Sequence, residues 1–275
     1  MSEGVSPMRS GIDWDDAFAN GPYIEGAAEY PDVWARQADA WRATSRGRLD
    51  MAYGTGPRHR LDLFLPEGPP HGLIVFVHGG YWLKFDKSVW SHLAAGPVAR
   101  GWAVALPSYT LAPEATLPQI TREIAQAITV AAGEVTGPIH LAGHSAGGHL
   151  VTRMVCMDVA LPVRARLGHV VSISGLHDLR PLLATNMAAD LRLTLADAEA
   201  ESAALRTPHP GPRVTAWVGG HERPEFLRQA AVLREAWARA GVDARLVVDG
   251  TRHHFDVIAG LADGNSALTK ALLTD

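Results

Sequence analysis

The chain has one cysteine, Cys156, among 275 residues. An internal disulfide is therefore excluded, and the fold must rest on burial and hydrogen bonding. Cys156 stands near Val151, Met154 and Val155, a setting for a buried structural thiol rather than a nucleophile. Long apolar runs are also missing. No stretch approaches the ~18 residues needed to span a bilayer. Residues 1–16 are polar and acidic without an apolar signal core, so a cytoplasmic protein is expected. Lysine and arginine do not cluster, and the formal net charge is −4. No nucleic-acid-binding face and no membrane partner are expected. Despite 13 histidines, the chain has no H-E-x-x-H or comparable pair, which argues against a catalytic metal. The strand–G-x-G-x-x-G–helix context of a dinucleotide site is absent too. No cofactor is expected. A homodimer is compatible with the chain.

What is present fits a soluble α/β protein: 47% of residues are hydrophobic and 20% charged. Residues 1–54 read as a loose leader and an aromatic-rich arm, with a helix near Pro31–Ala43. Continuous apolar runs at 72–77, 102–106, 138–142, 170–174 and 214–218 read as buried parallel strands. Residues 61–65 and 244–248 add outer strands. Helical patterns fall between them, at 118–134, at 148–158 and through Phe226, Ala230, Leu233 and Trp237 up to a stop signal at Gly241, with a closing helix over 257–273. Strands alternating with helices predict a mostly parallel sheet covered on both faces, in one catalytic domain over 55–275. About forty residues between the strands at 170–174 and 214–218 lack strand character. A small cap or lid over the site is expected there, at 176–210.

Gly143-His144-Ser145-Ala146-Gly147 is a G-x-S-x-G pentapeptide between an apolar strand and a helical segment. That context predicts a nucleophile elbow, with Ser145 aimed at a helix N-terminus. A serine hydroxyl needs a base, and the base needs an orienting acid. In the chain order Ser, acid, His, the base falls in the loop after the last strand, where His254 is favoured and His253 is the alternative. The acid falls after the strand at 214–218. Glu222 is the first carboxylate there, with Glu225 at an exposed helix start and Asp178 as further candidates. The oxyanion hole requires backbone amides. Gly79, Gly80 and Ala146 are the expected donors, with Tyr81 able to add its own. Tyr81, Trp82, His144 and Phe255 flank these groups and are expected to line the substrate pocket.

With these pieces placed, residues 55–275 resemble the α/β-hydrolase superfamily. His78-Gly79-Gly80-Tyr81-Trp82 is similar to the oxyanion loop of the arylformamidases (kynurenine formamidases). Glu222-Arg223-Pro224-Glu225-Phe226 resembles their acid motif, although aspartate often stands at the acid position. His254-Phe255-Asp256 resembles their base segment. The resemblance implies a Ser145–His254–Glu222 triad, a small-molecule amide or ester as the partner, and hydrolysis of N-formylkynurenine. A broad-specificity carboxylesterase for short acyl esters is the alternative, and a non-catalytic small-molecule-binding homologue the third reading.

Overall fold

The computed structural model describes residues 11–273, so most of the leader expected at 1–12 lies outside the described residues. Eight strands form one sheet: β1 (Gly47–Ala52), β2 (Arg60–Phe64), β3 (Leu73–Val77), β4 (Ala103–Pro107), β5 (Ile139–His144), β6 (Leu167–Ile173), β7 (Arg213–Gly219) and β8 (Ala244–Asp249). Their order is β1-β2-β4-β3-β5-β6-β7-β8. β2 pairs antiparallel with β1 and β4, and the remaining pairs are parallel. The fold is thus the α/β-hydrolase arrangement, a mostly parallel sheet between helical layers.

Strand side chains alternate between two cores. Leu73, Val75 and Val77 of β3 point into one, Ile74 and Phe76 into the other. Nine helices surround the sheet among the described residues. The arm supplies α1 (Trp14–Phe18) and α2 (Tyr30–Thr44), followed by α3 (Ala95–Ala99), α4 (Leu117–Glu134), α5 (Ala146–Arg153), α6 (Met187–Asp190), α7 (Leu195–Glu201), α8 (Pro224–Arg239) and α9 (Ala267–Leu273). α4, α5 and α8 bury residues in the first core; α2 and α9 do so in the second. α4 opens with Thr116 and Gln119 as a reciprocal capping box and Pro118 in its first turn.

α5 ends at Arg153 rather than near 158, and three larger features also differ from the sequence expectation. The sheet already begins at Gly47, inside the expected arm, because β1 is an edge strand with five of its six residues exposed. Such a strand carries no apolar alternation. The expected closing helix is broken. A 3₁₀ turn over Ala259–Ala262 ends at Asp263, whose Oδ1 accepts the Asn265 amide (2.8 Å) before α9 begins. Short polar side chains compete with the helix in this way. The segment 176–210 is folded down rather than poised over the sheet end. Glu201 accepts from Thr121 Oγ1 (2.6 Å) and Arg153 Nε (3.1 Å), and Trp237 Nε1 donates to the Ala203 carbonyl (2.9 Å). These bonds tie the segment to α4, α5 and α8.

Several histidines lie within the core. Burial pushes His78 down to about 4 and both His149 and His177 to about 3. All three therefore titrate well below the ~6.5 of an unfolded chain. Between those values the unfolded state binds more protons, so their stabilising contribution is complete above ~6.5 and is lost as pH falls toward 4. The urea midpoint should hold near neutral pH and drop steeply between about pH 6.5 and 4, with more than one proton taken up on unfolding. A midpoint independent of pH across that window would contradict this.

Candidate active site

β5 ends at His144 and α5 starts at Ala146, so Ser145 alone makes the turn. Its φ is 54° and its ψ −115°, a region that costs a non-glycine residue ~1–3 kcal/mol. The Ser145 amide donates to Ile173 of β6 (2.8 Å), and its carbonyl accepts from the His149 amide (3.1 Å). Gly147 makes the tight approach feasible, since a Cβ there would lie 1.9 Å from the Val77 carbonyl oxygen. The first turn of α5 therefore rests directly on the end of β3.

The loops after β7 and β8 bring Glu222 and His254 together. His254 Nδ1 lies 2.6 Å from Glu222 Oε2, and neither side chain is more than 4% exposed. Glu222 Oε1 accepts from the Gly219 amide (2.8 Å) and from Ser174 Oγ. With Nδ1 donating to the carboxylate, His254 Nε2 carries the free lone pair. The other candidates face elsewhere. Asp178 accepts from Arg180 Nε (2.9 Å). Glu225 is buried rather than exposed, because Arg228 and Gln229 both donate to it (2.7 Å each). His253 Nε2 contacts the Tyr30 hydroxyl (3.1 Å) at the start of α2.

Ser145 and His254 share a cavity of about 160 Å³. Gly80, Tyr81, His144 and Phe255 line it, as do Trp90 and Phe85, and Ala27, Pro31 and Trp34 of the arm form a further wall. No residue of 176–210 reaches it, so the expected cap is replaced by the arm. The loop after β3 reverses sharply at Gly80 (φ +112°), whose carbonyl accepts from the Leu83 and Lys84 amides (3.0 Å each). Tyr81 and Trp82 follow with φ of 57° and 59°. Among the described residues the amides of Gly79, Gly80, Tyr81 and Ala146 have no acceptor within the protein. Neither Gly79 nor Ala146 lines the cavity itself. Gly79 packs against the His144 carbonyl oxygen and the Ser145 Cβ.

Trp82 corrects the sequence expectation. It is 0% exposed and belongs to the core, with its ring edge-on to His149 at 5.3 Å. The positive φ values at Tyr81 and Trp82 turn this side chain under the loop. His144 lines the cavity but is already engaged, because its Nε2 donates to the His254 carbonyl (2.9 Å). Burial holds its pKa well below the usual histidine range, so it is a neutral strut between elbow and base loop. The sequence analysis missed Ser174 and the cavity walls Trp34, Phe85 and Trp90. The aromatics of the arm were visible in the sequence, but no spacing rule points them at Ser145.

Among the described residues no group of three or more His, Cys, Asp or Glu is placed to hold a metal ion. No described helix is long and apolar enough to cross a membrane.

A sequence model of the Alpha/beta hydrolase family matches residues 74–273. Kynurenine formamidase of Danio rerio is 27% identical over 242 residues, covering 84% of this chain and 83% of that protein. Kynurenine formamidase of Drosophila melanogaster is 27% identical over 215 residues, 72% of this chain and 71% of that protein. A crystal structure from Silicibacter sp. tm1040, described as a candidate thioesterase, is similar at a TM-score of 0.90 and 52% identity, over 95% of this chain and 99% of that one. Esterase LipW of Mycobacterium marinum shares the fold at 17% identity and a TM-score of 0.68, over 94% of each chain.

The burial of Trp82 sets a test. Trp82→Ala should lower unfolding free energy by ~3–5 kcal/mol, the range for removing a buried aromatic, and should shift KM for aromatic and small aliphatic substrates alike. Urea unfolding and paired KM measurements check this. Unchanged stability with a KM rise confined to the aromatic substrate would restore Trp82 to the pocket wall.

Proposed function

Since the chain belongs to the alpha/beta hydrolase family and is a hydrolase, we propose that it cleaves a small acyl group, formyl above all, from an aromatic amide or ester, as an arylformamidase does. The observation that carries the proposal is the 2.6 Å contact between Glu222 and His254, with His254 in the wall of the same small cavity as the strained Ser145.

In this reading His254 Nε2 takes the proton of Ser145 as Oγ attacks the carbonyl carbon. Glu222 keeps Nδ1 protonated and stabilises the imidazolium that forms. The free amides of Gly79, Gly80 and Ala146, with Tyr81 able to add its own, bind the oxyanion. The imidazolium then protonates the leaving amine or alcohol. Water repeats the sequence on the acyl-enzyme, releasing the acid. A cavity of about 160 Å³ suits a compact acyl group beside a flat ring rather than a long chain. The rings of Trp34, Phe85, Trp90 and Phe255 offer faces and edges for an aromatic group to pack on.

The kynurenine formamidases among the relatives support this substrate class. A second reading, a short-chain esterase acting on oxygen esters or thioesters, is supported by the 52% identical relative described as a candidate thioesterase. The same machinery serves both, so the leaving group decides.

Glu222→Gln keeps the shape of the side chain and removes its charge. It should lower kcat by roughly 10²–10⁴-fold, whereas Asp178→Asn, whose carboxylate faces Arg180, should leave kcat near the wild-type value. Steady-state kinetics reads both, and a crippled Asp178→Asn beside an active Glu222→Gln would overturn the assignment. For the substrate, kcat/KM on N-formylkynurenine should exceed that on p-nitrophenyl acetate, and p-nitrophenyl hexanoate should be cleaved poorly. Activity that rises from acetyl to hexanoyl esters, with N-formylkynurenine untouched, would replace the formamidase reading with the esterase one.

A further inference from the structure

The cavity that holds Ser145 has a marked division of character. Its depth is aromatic: Trp34 packs 4.6 Å from Trp90, 5.5 Å from Phe255 and 6.3 Å from Phe85, centroid to centroid. Its rim carries Lys84. The backbone of Lys84 is held there, because its amide donates to the Gly80 carbonyl at 3.0 Å. Its side chain is exposed and, among the described residues, forms no ion pair and no hydrogen bond. Lys87, three residues on, shows the contrast. It is buried and held at 2.8 Å by both Asp50 and Asp62. His144, also on the cavity wall, is kept neutral by burial. Apart from the His254–Glu222 pair, Lys84 is thus the charged group that the cavity presents.

The geometry points to Lys84 as the group that pairs with a carboxylate on the aromatic side of the substrate, so that the preferred substrates are small acylated aromatic acids rather than neutral amides or esters. The inference rests on reading Ser145 as the reacting centre, since the rim is defined relative to it. Lys84 N is tied to Gly80 O, so its Cα stays beside the loop whose amides face the scissile group. A flexible four-carbon stem lets the ammonium meet an anion at several distances from the acyl carbon. A ring seated against the aromatic walls displaces water from between the two charges, and their attraction strengthens as the local dielectric falls. A neutral substrate would leave the ammonium solvated and gain nothing from it.

The test separates binding from chemistry. Full-length Ser145→Ala protein is titrated by calorimetry with 3-acetoxybenzoate and with neutral 3-acetoxybenzamide. The same pair is then measured with Lys84→Gln and Lys84→Arg added. The anion should bind about tenfold tighter than the amide. That ratio should fall to near one with Lys84→Gln, be largely kept by Lys84→Arg, and shrink as salt is raised. In the protein with Ser145 intact, the ratio of kcat/KM for the two esters should fall in parallel on Lys84→Gln, through KM rather than kcat. An equal ratio with and without Lys84, or no detectable binding of the anion, would overturn the inference. Collapse of the binding ratio in a protein that hydrolyses neither ester would leave Lys84 as the carboxylate partner and would instead remove the hydrolytic reading of Ser145.

Discussion

The contact between His254 and Glu222 organises one end of the sheet. A carboxylate with almost no exposure is tolerated only when its lone pairs are occupied. Glu222 meets this condition through three donors on neighbouring connections: Ser174 after β6, Gly219 at the end of β7 and His254 after β8. The His254 carbonyl in turn accepts from His144, the residue before Ser145 at the end of β5. The ends of four successive strands in the sheet order, β5-β6-β7-β8, are thus joined by one hydrogen-bonded chain. Removing any member leaves a buried polar group unpaired, so the positions of elbow and base loop are coupled.

The parts of this architecture that rest on strong local signals were legible in the sequence. β3 and β5 are continuous apolar runs because both faces of a central parallel strand are covered. The elbow is legible because the chain can turn in a single residue only with glycine where the helix start meets β3. The placement of Glu222 follows from strand order, and its departure from aspartate is accommodated by geometry, since the 2.6 Å contact to Nδ1 is made with the longer side chain.

What was not legible depends on tertiary direction. β1 looks like loop because an edge strand with exposed faces needs no apolar pattern. Trp82 follows two glycines that seat a loop beside Ser145, and nothing in the sequence distinguishes a side chain above the loop from one beneath it. The positive φ at Tyr81 and Trp82 settles that point. The long segment after β6 was expected to cover the site because long insertions often do. Its buried Glu201 and its contact with Trp237 instead hold it against helices. The arm takes the covering role, with Trp34 in the cavity wall and Tyr30 on His253. Ser145 and His254 thus share their cavity with a part of the chain more than a hundred residues away in sequence. A helix that looks peripheral in sequence helps define the space in which an acyl group would fit.

The central claim is that Ser145 is the nucleophile of this site. The most direct test is peptide mass spectrometry after treatment with a fluorophosphonate probe. The account predicts one adduct, on the peptide containing Ser145, and no labelling of Ser145→Ala. An unmodified Ser145 peptide under conditions that label a known serine hydrolase, or an adduct that persists in Ser145→Ala, would contradict it.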